Sequence, residues 1–263
     1  MANINQPAIK GTLELKSDSL STPHYCAVLK QSALFMYLNE QALSEIVEIL
    51  SRKKMTLPKG SPAEEKFHTL NYFYVIVSGR VKVSKINPES GREFAFLLLG
   101  PGDVFDVICL LDKQEHPVQI DILEDVEILY VLMQEVRFWI QNHSDLNKTL
   151  LPYLGDQMRR LEDLAADLAT RDTATRLARL ILHHTSLHPF PKNGIHPVRL
   201  IHDLTHDLLA QMIGSTRQVV NQHLQALRRE GILDDRSKHL AVKELSALKE
   251  KADNCLSNSN HNS

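Results

Sequence analysis

LTHDLLAQMIGSTRQVVNQHLQALRREGIL, Leu204 to Leu233, reads as two helices joined by a sharp corner and followed by the start of a β-wing. The first helix is expected over Asp207–Ile213, with Thr205 as its cap and Asp207 at the end of the helix dipole that favours an acid. Gly214 ends it, because a close-packed corner needs a residue without a side chain. Ser215 is the expected cap of the second helix, with Gln218 three residues on to close a capping box. Ala210 stands four residues before Gly214 and Val220 six after it, a spacing that lets two helices cross closely as in a helix-turn-helix. On the second helix, Val220, Leu224 and Leu227 follow the i, i+4, i+7 period of a core face. Arg217, Gln218, Asn221 and Gln222 fall on the other side and carry groups that read base edges, Arg at guanine and Asn or Gln at adenine.

Charge supports that reading only once its distribution is seen. The 263-residue chain has a net charge of −2, which by itself argues against a nucleic-acid partner. Over residues 171–251, however, 13 Lys and Arg face 8 Asp and Glu, a net of +5, so the remainder carries −7. A basic C-terminal module on an acidic body is the asymmetry expected when one end meets phosphate. No apolar run approaches the ~20 residues of a membrane helix, and Met1–Leu20 lacks the apolar core of a signal peptide, so the cytoplasm is the expected compartment. Three scattered cysteines, Cys26, Cys109 and Cys255, fit neither a disulfide framework nor a zinc site.

Working towards the N-terminus, the period changes. Residues 1–24 read as a mobile arm with a short strand at Thr12–Leu15, and Tyr25–Leu50 as amphipathic helical pieces with Asn39 capping the last. From Lys53 to Val136 the period is two. Strands are expected at Lys54–Leu57, Tyr72–Ser78, Arg80–Ile86, Glu93–Leu99, Asp103–Ile108, Gln119–Ile122 and Val126–Met133, separated by turns such as Gly100-Pro101-Gly102. This is the pattern of a small β-barrel or jelly roll, closed by a helix from Glu135 and spanning residues 25–142.

A long helix follows over Ser144–Ala169. Leu154, Leu161 and Leu168 recur every seven residues, with Leu150, Met158, Leu164 and Ala165 between them and charged flanks, as in a coiled-coil dimer seam. Residues 143–172 are the dimerisation helix and hinge, 173–252 the winged helix-turn-helix, and 253–263 a polar, disordered tail. Within the module, Thr185–Arg199 reads as a loop, Leu200–Ile201 as a short strand, Asp234–Val242 as the wing and Leu245–Ala252 as the last helix. His202 and His206, four apart, would share a face if one helix covered both. With no HExxH or Cys partner nearby they read as solvated loop histidines, and no metal site is expected.

The order β-roll, long helix, winged helix-turn-helix resembles the cyclic-AMP receptor protein / fumarate–nitrate regulator (Crp/Fnr) superfamily of bacterial transcription factors. FYVIVSGRVKV (Phe73–Val83), GPGDVF (Gly100–Phe105), LGDQMRRLEDL (Leu154–Leu164) and AQMIGSTRQVVNQHLQALRREGIL (Ala210–Leu233) carry the resemblance over about Leu43–Val242. It implies an α+β protein with a cyclic-nucleotide-binding-like roll, a homodimer, double-stranded DNA with an inverted-repeat site, and RNA polymerase as a partner. Arg217, Gln218, Asn221 and Gln222 would enter the major groove, and Thr216, Arg228, Arg229 and Lys238 would meet phosphate.

The departures are informative. In cyclic-AMP-binding members a stretch of the form F-x-G-E-x-x-L, then an Arg-Ser pair, hold the ribose hydroxyl and the phosphate. Here Val107 takes the Glu position and Pro117-Val118 that of Arg-Ser, while Asp106 would repel an anion. The sequence therefore argues against cyclic AMP, and three cysteines are too few for the four-cysteine iron–sulfur type. The remaining pocket, lined by Phe105, Asp106, Val107, Cys109, Pro117 and Val118, would take an apolar ligand or none. The alternative occupant is haem, in a gas- or redox-sensing regulator, with His116, Cys109 or His68 as candidate ligands. A rival from another class, a β-roll regulatory subunit of an enzyme or channel, lacks support from any catalytic constellation or membrane span.

Overall fold

The computed structural model describes residues 22–63, 67–142, 144–186, 195–234 and 239–253. The expected strand at Thr12–Leu15, most of the expected arm, the tail beyond Asp253 and Lys238 lie outside the described residues. The chain begins with α1 (Thr22–Leu29) and α2 (Glu40–Leu50), so the last three residues of the expected arm are helical. Asn39 caps α2 by accepting from the Ala42 backbone N–H at 2.8 Å.

The roll follows as β1 (Lys54–Leu57), β2 (Tyr72–Ser78), β3 (Val81–Ile86), β4 (Glu93–Leu99), β5 (Val104–Phe105), α3 (Val107–Asp112), β6 (Gln119–Ile122) and β7 (Val126–Leu132). These strands form two antiparallel sheets, ordered β1-β7-β2-β5 and β4-β3-β6. Strand β2 reads YFYVIVS because both its faces are buried. Tyr74 and Ile76 enter the core between the sheets with Phe67, Phe105 and Ile120, whereas Phe73, Val75 and Val77 face the helices with Leu29, Leu43 and Leu50. A strand covered on both sides loses the usual apolar–polar alternation.

One expected strand is corrected. Asp103–Ile108 contributes only Val104–Phe105 to the sheet, because Asp106 turns to φ 115° and caps α3, accepting from the Cys109 N–H. A side-chain acceptor placed just before three free N–H groups converts an apolar run into a helix start.

Helix α4 (Met133–Asn142) leads into the 27-residue α5 (Ser144–Thr170). Leu150 is buried in the core that α1, α2 and α4 form against the roll, and Leu154 packs at its edge. Leu150 is therefore removed from the expected seam by its own domain. The exposed stripe runs instead through Leu151 (70%), Met158 (71%), Leu161 (50%) and Leu168 (38%), with Ala165 also exposed and Leu164 half-buried.

The C-terminal unit is α6 (Thr173–His184), β8 (His196–Pro197), α7 (His206–Ile213), α8 (Arg217–Arg229), β9 (Ala241–Val242) and α9 (Leu245–Asp253). Asp172 caps α6, accepting from the Thr175 N–H at 2.7 Å. The core joins Leu177 and Ile181, Leu209 and Ile213, Val220 and Leu224, and Leu248. The strand expected at Leu200–Ile201 is replaced by β8, which pairs with β9, while Leu200 takes the left-handed φ of 56°.

Gly79 makes the β2–β3 turn at φ 80°, and a Cβ there would stand 2.4 Å from the Asp125 carbonyl oxygen. Gly79→Ala is expected to destabilise the protein by about 2–3 kcal/mol, read as a lower denaturation midpoint with an unchanged slope.

Candidate nucleic-acid interface and effector region

Local rules build α8, the helix expected from sequence to meet DNA. Thr205 caps α7, accepting from Leu208 N–H at 3.2 Å, and Gly214 ends the helix at φ 63°, ψ 45°. The cap of α8 is Thr216, which accepts from Val219 N–H at 3.4 Å; the expected cap, Ser215, stands one residue too early. Thr216 also remains exposed, so its backbone N–H and hydroxyl lie at the positive end of the α8 dipole, where a phosphate is favoured.

Val220, Leu224 and Leu227 are buried, which fixes the opposite side of α8 outward. Arg217, Gln218 and Gln222 are exposed and Asn221 is half-buried on that side. Gln225, also exposed, extends the same face; its spacing four residues after Asn221 carries the signal. Arg217 is held only loosely, 3.5 Å from Asp207 with its side chain 72% exposed. His223, on the flank of α8, lies 2.9 Å from Thr173 Oγ1 and ties the helix to the start of α6. Arg229 is exposed in the last turn and Arg228 half-buried. His202 precedes α7 and His206 begins it, so the two histidines do not share a helix face.

The region expected from sequence to hold an effector is organised by Asp106. Its side chain is buried, with Oδ1 3.2 Å from His116 Nδ1. The Cys109 thiol lies 3.1 Å from Asp106 Oδ2 and donates within 3.0 Å of the Gln114 carbonyl. Burial, reinforced by the neighbouring carboxylate, pushes the Cys109 thiol up to about 11, so it stays protonated at neutral pH. Of the pocket residues expected from sequence, Phe105, Asp106, Val107 and Cys109 are buried, Val118 packs at the rim of the inter-sheet core, and Pro117 is exposed. Phe105 is committed to that core, edge-on to Phe67 with ring centres 5.9 Å apart. Of the three candidate haem ligands, His116 and Cys109 are drawn to Asp106, and His68 is exposed on the segment before β2.

A third set of residues, which no short-range pattern announces, joins the roll to the helix-turn-helix. The Arg80 guanidinium, 7% exposed, donates to both oxygens of Asp203 at 2.6 and 3.0 Å, to the Leu200 carbonyl and to Glu124. Lys82 lies 2.6 Å from Glu93 and 3.0 Å from Asp121, and Gln211 donates to the other Glu93 oxygen at 2.8 Å. Hydrogen bonds from Arg80 hold the Asp203 carboxyl below its usual range. Burial would raise Glu93, but Lys82 and Ser84 outweigh it and hold that carboxyl low as well.

Comparison with known proteins places these features. Residues 175–251 match the model of the Crp-like helix-turn-helix domain, and residues 55–143 that of the cyclic nucleotide-binding domain. The chain is 30% identical over 224 residues to the global nitrogen regulator of Synechocystis sp., covering 82% of this chain and 93% of that protein. It is 24% identical over 225 residues to the CRP-like cAMP-activated global transcriptional regulator of Mycobacterium tuberculosis, covering 86% and 98%. Its fold is similar to that of a CooA mutant from Carboxydothermus hydrogenoformans, with a TM-score of 0.61 at 24% identity over 78% of this chain and 90% of that one. FixK2 from Bradyrhizobium japonicum gives a TM-score of 0.63 at 18% identity over 75% and 96%.

At α3 the Asp106 carboxylate would repel a phosphate, and the Arg137 guanidinium beside the helix is already engaged by the Leu110 and Cys109 carbonyls at 3.0 and 2.8 Å. Calorimetry with cyclic AMP is expected to show no micromolar binding, and DNA affinity should not change with the nucleotide present; a micromolar isotherm would overturn this account of Asp106.

Proposed function

The chain belongs to the Crp/Fnr superfamily of transcription regulators, and from that premise we propose that it is a homodimeric, sequence-specific DNA-binding regulator whose roll answers a signal other than cyclic AMP. The observation that carries the proposal is the division of α8 into a buried side, Val220, Leu224 and Leu227, and an outward side of five side chains from Arg217 to Gln225 that can address base edges. The relatives compared are a global transcriptional regulator and a global nitrogen regulator, which supports a binding function rather than catalysis. Among the described residues no helix is long and apolar enough to cross a membrane, and the reading places the protein in the cytoplasm, with RNA polymerase as a partner.

Arg217 is suited to guanine, and Gln218, Asn221, Gln222 and Gln225 to adenine or thymine neighbours. In the family pattern a glutamate often stands where this chain has Gln218; its absence removes an acceptor for cytosine N4. Half-sites with one guanine beside A·T pairs are therefore expected, repeated in inverted order about the dimer axis. The axis itself is supported by the exposed α5 stripe from Leu151 to Leu168, at coiled-coil spacing.

Selection of sites from random DNA by the purified protein tests the reading. Arg217→Ala is expected to cost about 1–3 kcal/mol and to relax one position of the selected site. Arg229→Ala should weaken all sequences alike and flatten the salt dependence. Gln218→Glu should change the selected bases; an unchanged site would show that α8 does not lie in the groove as assigned.

Leu161→Glu would place two carboxylates face to face across the seam and is expected to give monomers by light scattering. A dimer that survives it would move the axis away from α5.

A further inference from the structure

We propose that the cavity between α2, the end of α4 and the start of α5 is a binding site for a small organic amine that carries an apolar body and a hydrogen-bond acceptor. None of the residues that the sequence points to as an effector pocket lines it, and the inference stands apart from the reading of α8.

Helix α2 builds one wall. Its core face runs through Leu43, Val47 and Leu50. A second apolar row, Ala42, Ile46 and Ile49, follows the i, i+4, i+7 period along the side of the helix and borders the cavity. Leu38, just before α2, and Leu146, in the first turn of α5, complete the apolar lining. An alanine at the head of that row leaves space where a larger side chain would close the groove. The space amounts to about 240 Å³. Pockets for drug-sized ligands run from roughly 300 to 1,000 Å³, so this one is limited to a smaller molecule.

Its polar groups specify what that molecule carries. Trp139, on α4, lines the cavity and is 8% exposed. A buried indole N–H ordinarily finds an acceptor, and this one has none among the described residues. It is not sealed in the core, because the only enclosed side-chain nitrogen or oxygen without a partner among the described residues is Arg176 Nε. An acceptor brought by a ligand would satisfy the indole.

The carboxylates decide the charge. Glu45 borders the cavity and meets no cation among the described residues; Gln41 Nε2 donates to it at 3.2 Å. Asp145, at the start of α5, is already engaged by Lys148 at 2.8 Å and by the Asn39 amide at 3.3 Å. Glu45 is therefore the group that would receive an ammonium. A carboxylate or phosphate would be repelled by both acids, and a neutral molecule would gain nothing from Glu45.

Trp139 is the single tryptophan of the chain, so its fluorescence reports on this cavity. The full-length protein is titrated with leucinamide, which offers an ammonium, a carbonyl and a branched apolar body. Two relatives each lack one feature: isoamylamine has no carbonyl, and N-acetylleucinamide has no charge. Leucinamide is expected to change the emission saturably with a midpoint of about 1 mM, ordinary for so small a ligand. Both relatives are expected to bind about fivefold more weakly.

Glu45→Gln should weaken leucinamide and isoamylamine about fivefold and leave N-acetylleucinamide unchanged. Ala42→Leu fills the groove and should abolish saturation by all three while the protein keeps its thermal midpoint. No saturable change at about ten times the expected midpoint overturns the site, and so does saturation that survives Ala42→Leu. Equal affinity for leucinamide and N-acetylleucinamide, or a Glu45→Gln variant that binds leucinamide as the wild type does, overturns the assignment to an amine. An emission change that follows protein concentration rather than ligand assigns the groove to a second copy of the chain and likewise overturns it.

Discussion

A guanidinium taken out of water has to find acceptors for its donors, and Arg80 finds them on both sides of the boundary between roll and helix-turn-helix. Burial alone would weaken its hold on the proton, but the hydrogen bonds to Asp203 and Glu124 more than restore it. Such a group contributes little net stability, because desolvation offsets most of the attraction between the charges. What it contributes is register. The Asp203 carboxylate and, three residues earlier, the Leu200 carbonyl accept from the same guanidinium, so one side chain ties down two points of the segment before α7. The next element, α7, meets β4 through a second polar contact, Gln211 donating to Glu93 at 2.8 Å.

The same economy applies at Gly214. A helix-turn-helix needs a left-handed residue at its corner, and the local sequence provides it. The lack of a side chain then serves a second purpose, since Leu168 and Phe94 close over the corner at distances that leave little room for one. A corner that packs against another domain is constrained twice, by its own backbone and by its neighbour. Replacing Gly214 would therefore disturb the internal geometry of the motif and its packing together, whereas the side-chain contact of Gln211 can be removed alone.

Legibility in the sequence followed the range of the interactions. Caps and corners are set by residues three or four apart, and Asn39, Thr205, Gly214 and the inward face of α8 read directly from spacing. The roll was legible as alternation broken by glycine turns, apart from α3, where an apolar run of strand-like residues was turned into a helix by one aspartate at a positive φ. Seven-residue spacing put an apolar stripe on α5, but Leu150 and Leu151 are adjacent, and only the packing of α2 and α4 decides which is taken inward. Arg80 and Asp203 are 123 residues apart, and nothing near either one distinguishes it from an ordinary surface charge. The polar boundary between domains is therefore the part of the site that spacing could not supply.

The end of α5 connects these levels. Asp167 lies 2.9 Å from Arg171 and 2.6 Å from Arg179, so a single carboxylate binds the last turn of the long helix to the hinge and to α6. One residue on, Leu168 belongs to the exposed stripe by its spacing from Leu161 and also covers Gly214. In the dimer proposed through α5, Leu168 would be asked both to meet a second copy of the helix and to keep its contact with the corner of the motif. Tightening the last turn of the seam would draw Leu168 from Gly214, and the salt bridge from Asp167 to Arg179 would carry the displacement into α6. Coupling of this kind requires only a leucine shared between two surfaces and a carboxylate that keeps the helices from moving independently.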